Sequence, residues 1–345
     1  MTELTASQNE LLRATSRSFY QTLKVLPRVI RPQIALAYLL ARTADTIADT
    51  EIVPVSQRRE ALHKLREFIL GSTTAPVNFN DLAGRQGAPA EKLLLEKAGD
   101  SVATLQKFSA EDQKRIRDVL TIIISGQELD LRRFAPLESS QAGRIIPLET
   151  ALELDDYTYR VAGCVGEFWT KMCRAHLFPK ARIDDNQLII NGVRFGKGLQ
   201  LINILRDLPE DVKKGRCYLP TEKLEKFNLT PQTVLTRVKE DSFLKLFHEY
   251  LDKAEDHLRA GWDYTNTLPY SQFRVRLACA WPILIGIKTI EKLRVSDVSE
   301  LQQRVKISRK EVKGIILHSL LVCPIPALWR HLFPAKPVAF KHNLS

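Results

Sequence analysis

The sequence predicts an all-α protein folded as a single domain, on three observations. Apolar residues recur at three- and four-residue steps along most of the chain, no segment alternates with the period of a strand, and the breaks between periodic segments join helices that need one another as packing partners. The periodic segments are residues 36–47, 61–70, 116–131, 157–173, 188–208 and 273–293. A stretch rich in Gly, Ser, Thr and Pro at 71–90 and a second break at 214–230, with Gly215, Pro220 and Asn228, read as connections. No repeat of fixed period is present, so the whole of 1–345 is expected to form one unit with a core at about 10–325 and a short apolar C-terminal tail.

Composition narrows the function. A chain of 345 residues, 44% hydrophobic and 26% charged, has the balance of a soluble globular protein. Its five cysteines are odd in number and form no CxxC pair, which argues against a zinc site or a disulfide framework and for a reducing, cytoplasmic setting. The formal charge of +11 allows anionic partners. Lys and Arg are dispersed and no nucleic-acid-binding pattern appears, so nucleic acid is not expected. The N-terminal MTELTASQNE lacks the basic-then-apolar pattern of a secretory leader. Residues 314–329 are apolar but too short and too interrupted to span a bilayer, and read as a buried final helix or a segment in weak peripheral contact with a membrane.

The chemical signal lies in two acidic clusters. In Arg42-Thr43-Ala44-Asp45-Thr46-Ile47-Ala48-Asp49 the aspartates are four apart, on one helix face. Ile34, Leu36, Tyr38, Leu39, Leu40 and Ile47 surround them, and carboxylates set among core residues need a cation. Magnesium suits them, being a hard ion that takes oxygen ligands and leaves room for phosphates. The second cluster places Asn203, Asp207 and Asp211 at four-residue steps, with Gln200 beside the stripe and Arg206 on the same helix. Two such stripes facing each other across a bundle would form a magnesium site, with nearby arginines for the remaining diphosphate oxygens. Pro209 lies inside the second stripe and is expected to kink or end that helix.

Four ordered blocks resemble the squalene and phytoene synthase family. Ser16-Arg17-Ser18-Phe19, Leu26-Pro27 and the run from Tyr38 through Asp49 resemble its first block, Gly126-Gln127-Glu128-Leu129-Asp130-Leu131 an intermediate stretch, and the run from Tyr157 through Gly166 its middle block. The run from Gln200 through Asp211, followed by Gly215 to Pro220, is similar to its second aspartate block. The resemblance implies an isoprenoid synthase fold, a single helical bundle around a central cavity. It implies that Asp45, Asp49, Asp207 and Asp211, assisted by Asn203, hold Mg²⁺, and that Ser16, Arg17, Ser18, Phe19, Arg42, Gln200, Asn203, Arg206 and Arg216 bind the substrate diphosphates. Tyr38, Tyr157 and Arg42 are the implied catalytic residues, with Tyr157 helping to move the proton between carbocation and departing diphosphate. Phe168, Trp169 and Trp281 are further aromatic candidates for cation contact.

The activity implied is head-to-head condensation of two farnesyl diphosphates through presqualene diphosphate to squalene, with reduction by NADPH, in a monomeric enzyme. Residues 305–310 resemble a basic segment of squalene synthases, which makes Lys306 and Arg309 candidates for the NADPH phosphates. Ala278 stands where reductive eukaryotic members carry an aromatic residue, and the Tyr157-to-Gly163 motif also occurs in phytoene-type members. The alternative is therefore a non-reducing phytoene or dehydrosqualene synthase. A non-catalytic assembly factor is a further alternative, though it would have no reason to keep both acidic stripes.

Overall fold

The computed structural model describes residues 3–16, 19–73, 78–135, 144–238, 240–295 and 305–334. The N-terminal half consists of α1 (Ala6–Thr15), α2 (Phe19–Val25), α3 (Arg31–Asp49), α4 (Val55–Leu70), the short α5 (Asn80–Ala83), α6 (Pro89–Glu96), α7 (Ala98–Leu105) and the long α8 (Ala110–Phe134). Strand β1 (Ile146–Leu148) leads into α9 (Ala151–Thr158), a π-helical turn (Tyr159–Gly163) and α10 (Cys164–His176). The second half contains α11 (Asp185–Lys213), β2 (Arg216–Pro220), α12 (Thr221–Lys226), α13 (Asp241–Thr267), α14 (Phe273–Val295), α15 (Arg309–Val322) and α16 (Pro326–Arg330). Every periodic segment of the sequence falls within this helical framework.

The helices start where side chains can satisfy free backbone N–H groups. Thr5, Ser109, Thr150, Asp184 and Ser308 each accept from an amide in the first turn, and Thr5 and Ser308 form reciprocal capping boxes with Gln8 and Glu311. Two apolar cores result. One joins α1–α8 to α10, and the other surrounds α11, α13 and α14. They meet on shared helices, since α14 gives Ala278 and Cys279 to the first and Leu277 and Trp281 to the second, while Phe195 of α11 packs against both.

The crossing of α11 over α10 and the π turn fixes the site. A methyl group on Gly166 would lie 1.9 Å from the Gly192 carbonyl oxygen, and one on Gly196 would lie 2.2 Å from that of Ala162. Only hydrogen at these positions lets the backbones approach this closely.

Two expectations are corrected. The chain is not free of strands, because β1 and β2 pair in parallel with Ile146 opposite Arg216 and Pro147 opposite Cys217. Runs of three and five residues are too short for alternation to reveal them. Nor does Pro209 end its helix: α11 continues to Lys213 and keeps Asp207 and Asp211 on one cavity wall.

Candidate active site

Two cavities adjoin one another along the same helices. The polar one, about 490 Å³, is lined by Asp45 and Asp49 of α3, Gln127 and Asp130 of α8, and Gln200, Asn203, Asp207 and Asp211 of α11. The apolar one, about 250 Å³, is lined one or two turns earlier on those helices by Tyr38 and Ala41, Val119 and Ile123, and Gly196 and Leu199. Phe19, Phe168, Trp169, Phe195 and Ala278 close its walls. Thus α3, α8 and α11 each pass from the apolar to the polar compartment as residue number rises.

The polar cavity has an excess of negative charge. Six carboxyl groups, those of Asp45, Asp49, Glu51, Asp130, Asp207 and Asp211, face three cationic side chains, Arg58, Lys214 and Arg216. Asp49 is the last residue of α3 and Asp211 lies two residues from the end of α11. The helix dipole is negative at such ends and disfavours a further anion by about 0.3–1 kcal/mol. Burial pushes the Asp45 carboxyl up to about 7, with the Asp49 charge adding to it. Its side chain keeps 37% exposure and lines the cavity, so the desolvation is partial. Asp49 is also raised by burial. Asp211 is raised to about 7 by burial and then by Asp207.

These features fit a divalent cation. Desolvated, mutually repelling oxygen ligands gain most from a hard metal ion. Among the described residues no three acidic, histidine or cysteine side chains converge on one point. A divalent ion here would take oxygen ligands from the two aspartate pairs and fill its remaining positions from elsewhere.

Behind the carboxylates lies a buried hydroxyl–carboxylate cluster. Tyr218 of β2 donates to Asp130 Oδ2 at 2.6 Å. Tyr157 stacks on Tyr218 with ring centroids 4.7 Å apart and is hydrogen-bonded to both Tyr218 and Asp130. Burial raises Asp130 to about 6 and holds both phenols well above their ordinary range. Gly215 (φ 79°) makes the left-handed turn that brings β2 back from α11 and places Arg216 and Tyr218 on the cavity wall.

A family model, Squalene/phytoene synthase, matches residues 12–311. The chain belongs to the squalene/phytoene synthase family. Members of this family are prenyltransferase-type isoprenoid synthases. It is 30% identical over 266 residues to the bifunctional lycopene cyclase/phytoene synthase of Gibberella fujikuroi, an overlap of 75% of this chain. The chain spans about two fifths of that relative's length, 42%. It is 27% identical to the squalene synthase of Schizosaccharomyces pombe over 320 residues, which cover 90% of this chain and 64% of that protein. The structure of TcSQS in complex with the ligand BPH1237 superimposes with a TM-score of 0.73 at 22% identity, covering 96% of this chain and 92% of that one, which establishes the all-α isoprenoid synthase fold.

Within this family frame, Asp45, Asp49, Gln200, Asn203, Asp207, Asp211, Tyr157 and Arg216 share the polar cavity, while Tyr38 and Phe19 line the apolar one with their rings tilted and their centroids 4.9 Å apart. Arg42 does not line either cavity. Its guanidinium pairs with Glu91 of α6 at 2.8 Å and lies 3.8 Å from Asp45. Arg206 is held by its neighbour Asp207 in a two-point contact of 2.8 and 2.6 Å. Ser16 is buried and donates to the Leu12 carbonyl. Arg17 and Ser18 lie outside the described residues. Trp281 lines neither cavity and donates to Ser319 Oγ at 2.8 Å, a packing role. Lys306 and Arg309 are exposed and line neither cavity.

Sequence reasoning did not single out Gln127, Asp130, Lys214 or Tyr218 as site residues. Gln127 donates to Asp45 Oδ1, and Lys214 and Arg216 both pair with Glu51, at 3.3 and 3.1 Å. A usable signal was present for two of them, because Gln127 and Asp130 interrupt the apolar face that Ile116, Ile123 and Ile124 begin.

Proposed function

We propose that the chain condenses two farnesyl diphosphates head to head, through presqualene diphosphate, to squalene, with NADPH as reductant. The observation that carries this reading is the charge of the polar cavity beside an apolar one. A trianionic diphosphate would be repelled by six carboxyl groups unless divalent cations accompanied it, and a prenyl chain needs the adjoining apolar space. Mg²⁺ bound by Asp45, Asp49, Asp207 and Asp211 would supply the positive charge that lets the diphosphate leave with the C–O electron pair.

The chain's own residues do the rest. Arg216 and Lys214 add cationic contacts for the leaving group, and Gln127 orients Asp45. Phe19, Tyr38, Phe168 and Trp169 hold the prenyl chain and keep water from the carbocation. Tyr157, which lines the polar cavity, would help carry the proton lost on cyclopropane formation toward the diphosphate. Lys306 and Arg309 are the candidates for NADPH phosphates, because they are exposed and basic.

A second reading, a non-reducing phytoene or dehydrosqualene synthase, is favoured by Ala278. It lies on the apolar cavity wall, at the position where the sequence lacks the aromatic residue of reductive members. Purified protein with farnesyl diphosphate and Mg²⁺ distinguishes the two. Squalene should form with NADPH, and presqualene diphosphate or dehydrosqualene without it. An identical product mixture in both tubes would establish the non-reducing reading, and no turnover of farnesyl or longer diphosphates would refute both.

A further inference from the structure

The C-terminal helical pair presents an unusual surface. Fourteen large hydrophobic residues are exposed among the described residues, and five of them, Leu317, Leu320, Leu321, Ile325 and Leu328, fall within a dozen positions. Leu317 and Leu321, four apart on α15, are 60% and 66% exposed. This is not a frayed end. On the inner side Ser319 is fully buried and accepts from Trp281 Nε1, Tyr270 donates to the Cys323 carbonyl at 2.5 Å, and Trp329, 1% exposed, donates to Asn266 Oδ1 at 2.9 Å. The segment is fixed by its polar and aromatic anchors, and the leucines are left facing outward.

Charge completes the pattern. Among residues 305–334 every exposed lysine, arginine, aspartate or glutamate is basic: Lys306, Arg309, Lys310, Lys313 and Arg330. The one acidic residue, Glu311, is half-buried and held by Lys292 at 2.9 Å. Among the described residues, no helix is long and apolar enough to cross a membrane. An anchored face with outward leucines and cations beside them, and no competing surface carboxylate in the segment, matches the chemistry of an interfacial lipid contact.

We propose that this face docks on the surface of an anionic lipid bilayer, with Leu317, Leu321, Ile325 and Leu328 entering the acyl boundary and Lys310, Lys313 and Arg330 meeting the headgroups. Through Trp281, α15 rests on α14, the helix that also lines the apolar cavity with Ala278 and Pro282. The inference concerns binding alone and does not depend on which product the enzyme makes.

Flotation of the full chain with vesicles of phosphatidylcholine, with or without phosphatidylglycerol, tests it. The protein should float with the anionic vesicles and far less with the neutral ones, and high salt should weaken binding. Leu317→Ser with Leu321→Ser should lower the partition coefficient at least about tenfold, since each leucine loses its apolar transfer. Lys310→Ser with Lys313→Ser should lower it about fivefold per lysine on anionic vesicles only. These side chains are exposed, so melting temperatures should stay near that of the parent. If the leucine pair unfolds, the lysine pair still decides. Absence of binding to anionic vesicles, or binding unchanged in folded variants, would overturn the proposal. So would a parent dimer that the leucine variant turns into a monomer while vesicle binding persists, because the face would then be a contact between copies.

Discussion

Tyr218 and Asp130 come from elements almost ninety residues apart in sequence and meet through a 2.6 Å hydrogen bond in which the phenol donates. The carboxylate is buried, so it holds that phenol firmly, and the stacked ring of Tyr218 in turn fixes Tyr157 at the cavity wall. Tyr218 is thus a positioning residue for Tyr157. Tyr218→Phe keeps the stack and removes the hydroxyl. It should reduce turnover roughly 10- to 100-fold, the scale of a misplaced catalytic group, with little change in KM. Asp130→Asn should act in the same direction, and the double variant should be no worse than the poorer single one if the pair works as a unit. An undiminished kcat in Tyr218→Phe would show that the hydroxyl has no part in positioning.

The raised carboxyl groups predict how stability varies with pH. Asp45 and Asp211 titrate near 7 in the folded chain and near their ordinary 3.8 when unfolded. Between those values the folded state binds more protons, so the unfolding free energy falls as pH rises through that window. In chelator, the metal-free protein should melt lower at pH 8 than at pH 5.5. Mg²⁺ with inorganic diphosphate should restore more stability at pH 8, where the ligands are ionised. Asp45→Asn with Asp211→Asn should flatten both trends in thermal melts. A slope as steep in the variant as in the parent would assign the pH dependence to other groups.

Much of this site is legible in the sequence, and the failures have physical causes. The aspartate stripes are visible because a four-residue step is a property of one helix, and all four aspartates reach the same cavity. The destination of an arginine is not local. Arg42 shares its helix with Asp45 yet swings to Glu91, nearly fifty positions away in sequence, because a carboxylate on α6 lies within 2.8 Å. Tyr218 was hidden for a related reason: its role depends on β2 pairing with β1, a contact that two short strands do not announce. The π turn at Tyr159–Gly163, a geometry that recurs at functional sites, leaves no compositional mark either.

Two glycines give opposite predictions for the same substitution. Gly166→Ala would place a methyl 1.9 Å from a backbone oxygen of α11, and backbone cannot rotate away as a side chain can. The helices must separate, at a cost of about 1–3 kcal/mol or somewhat more. Because α11 carries Asn203, Asp207 and Asp211, activity should fall along with the melting temperature. Gly314→Ala on α15 meets nothing within 4 Å and should stabilise the exposed helix by up to about 1 kcal/mol. Calorimetry or denaturant titration of the two variants checks the pair. Equal effects would mean that the close crossing of α10 and α11 can relax.

Lys306 and Arg309 provide the sharpest test of the reductive reading. Neither lines the polar or the apolar cavity, so neither should affect the ionisation of farnesyl diphosphate. They flank Ser308, which caps α15, and the capping bond is made by the Ser308 and Glu311 side chains. Replacing the two basic residues with alanine therefore leaves the helix start intact. A hydride donor changes only the fate of the final carbocation, after both carbon–carbon bonding steps are set. If these residues hold NADPH phosphates, the double variant should consume farnesyl diphosphate at the parent rate. Its KM for NADPH should rise roughly 3- to 30-fold, the combined value of two exposed ion pairs. At limiting NADPH its products should shift from squalene toward presqualene diphosphate or dehydrosqualene, and saturating NADPH should reverse the shift. An unchanged KM with squalene still formed would place the phosphates elsewhere on the enzyme, whereas squalene-free products from the parent itself would favour the non-reducing synthase.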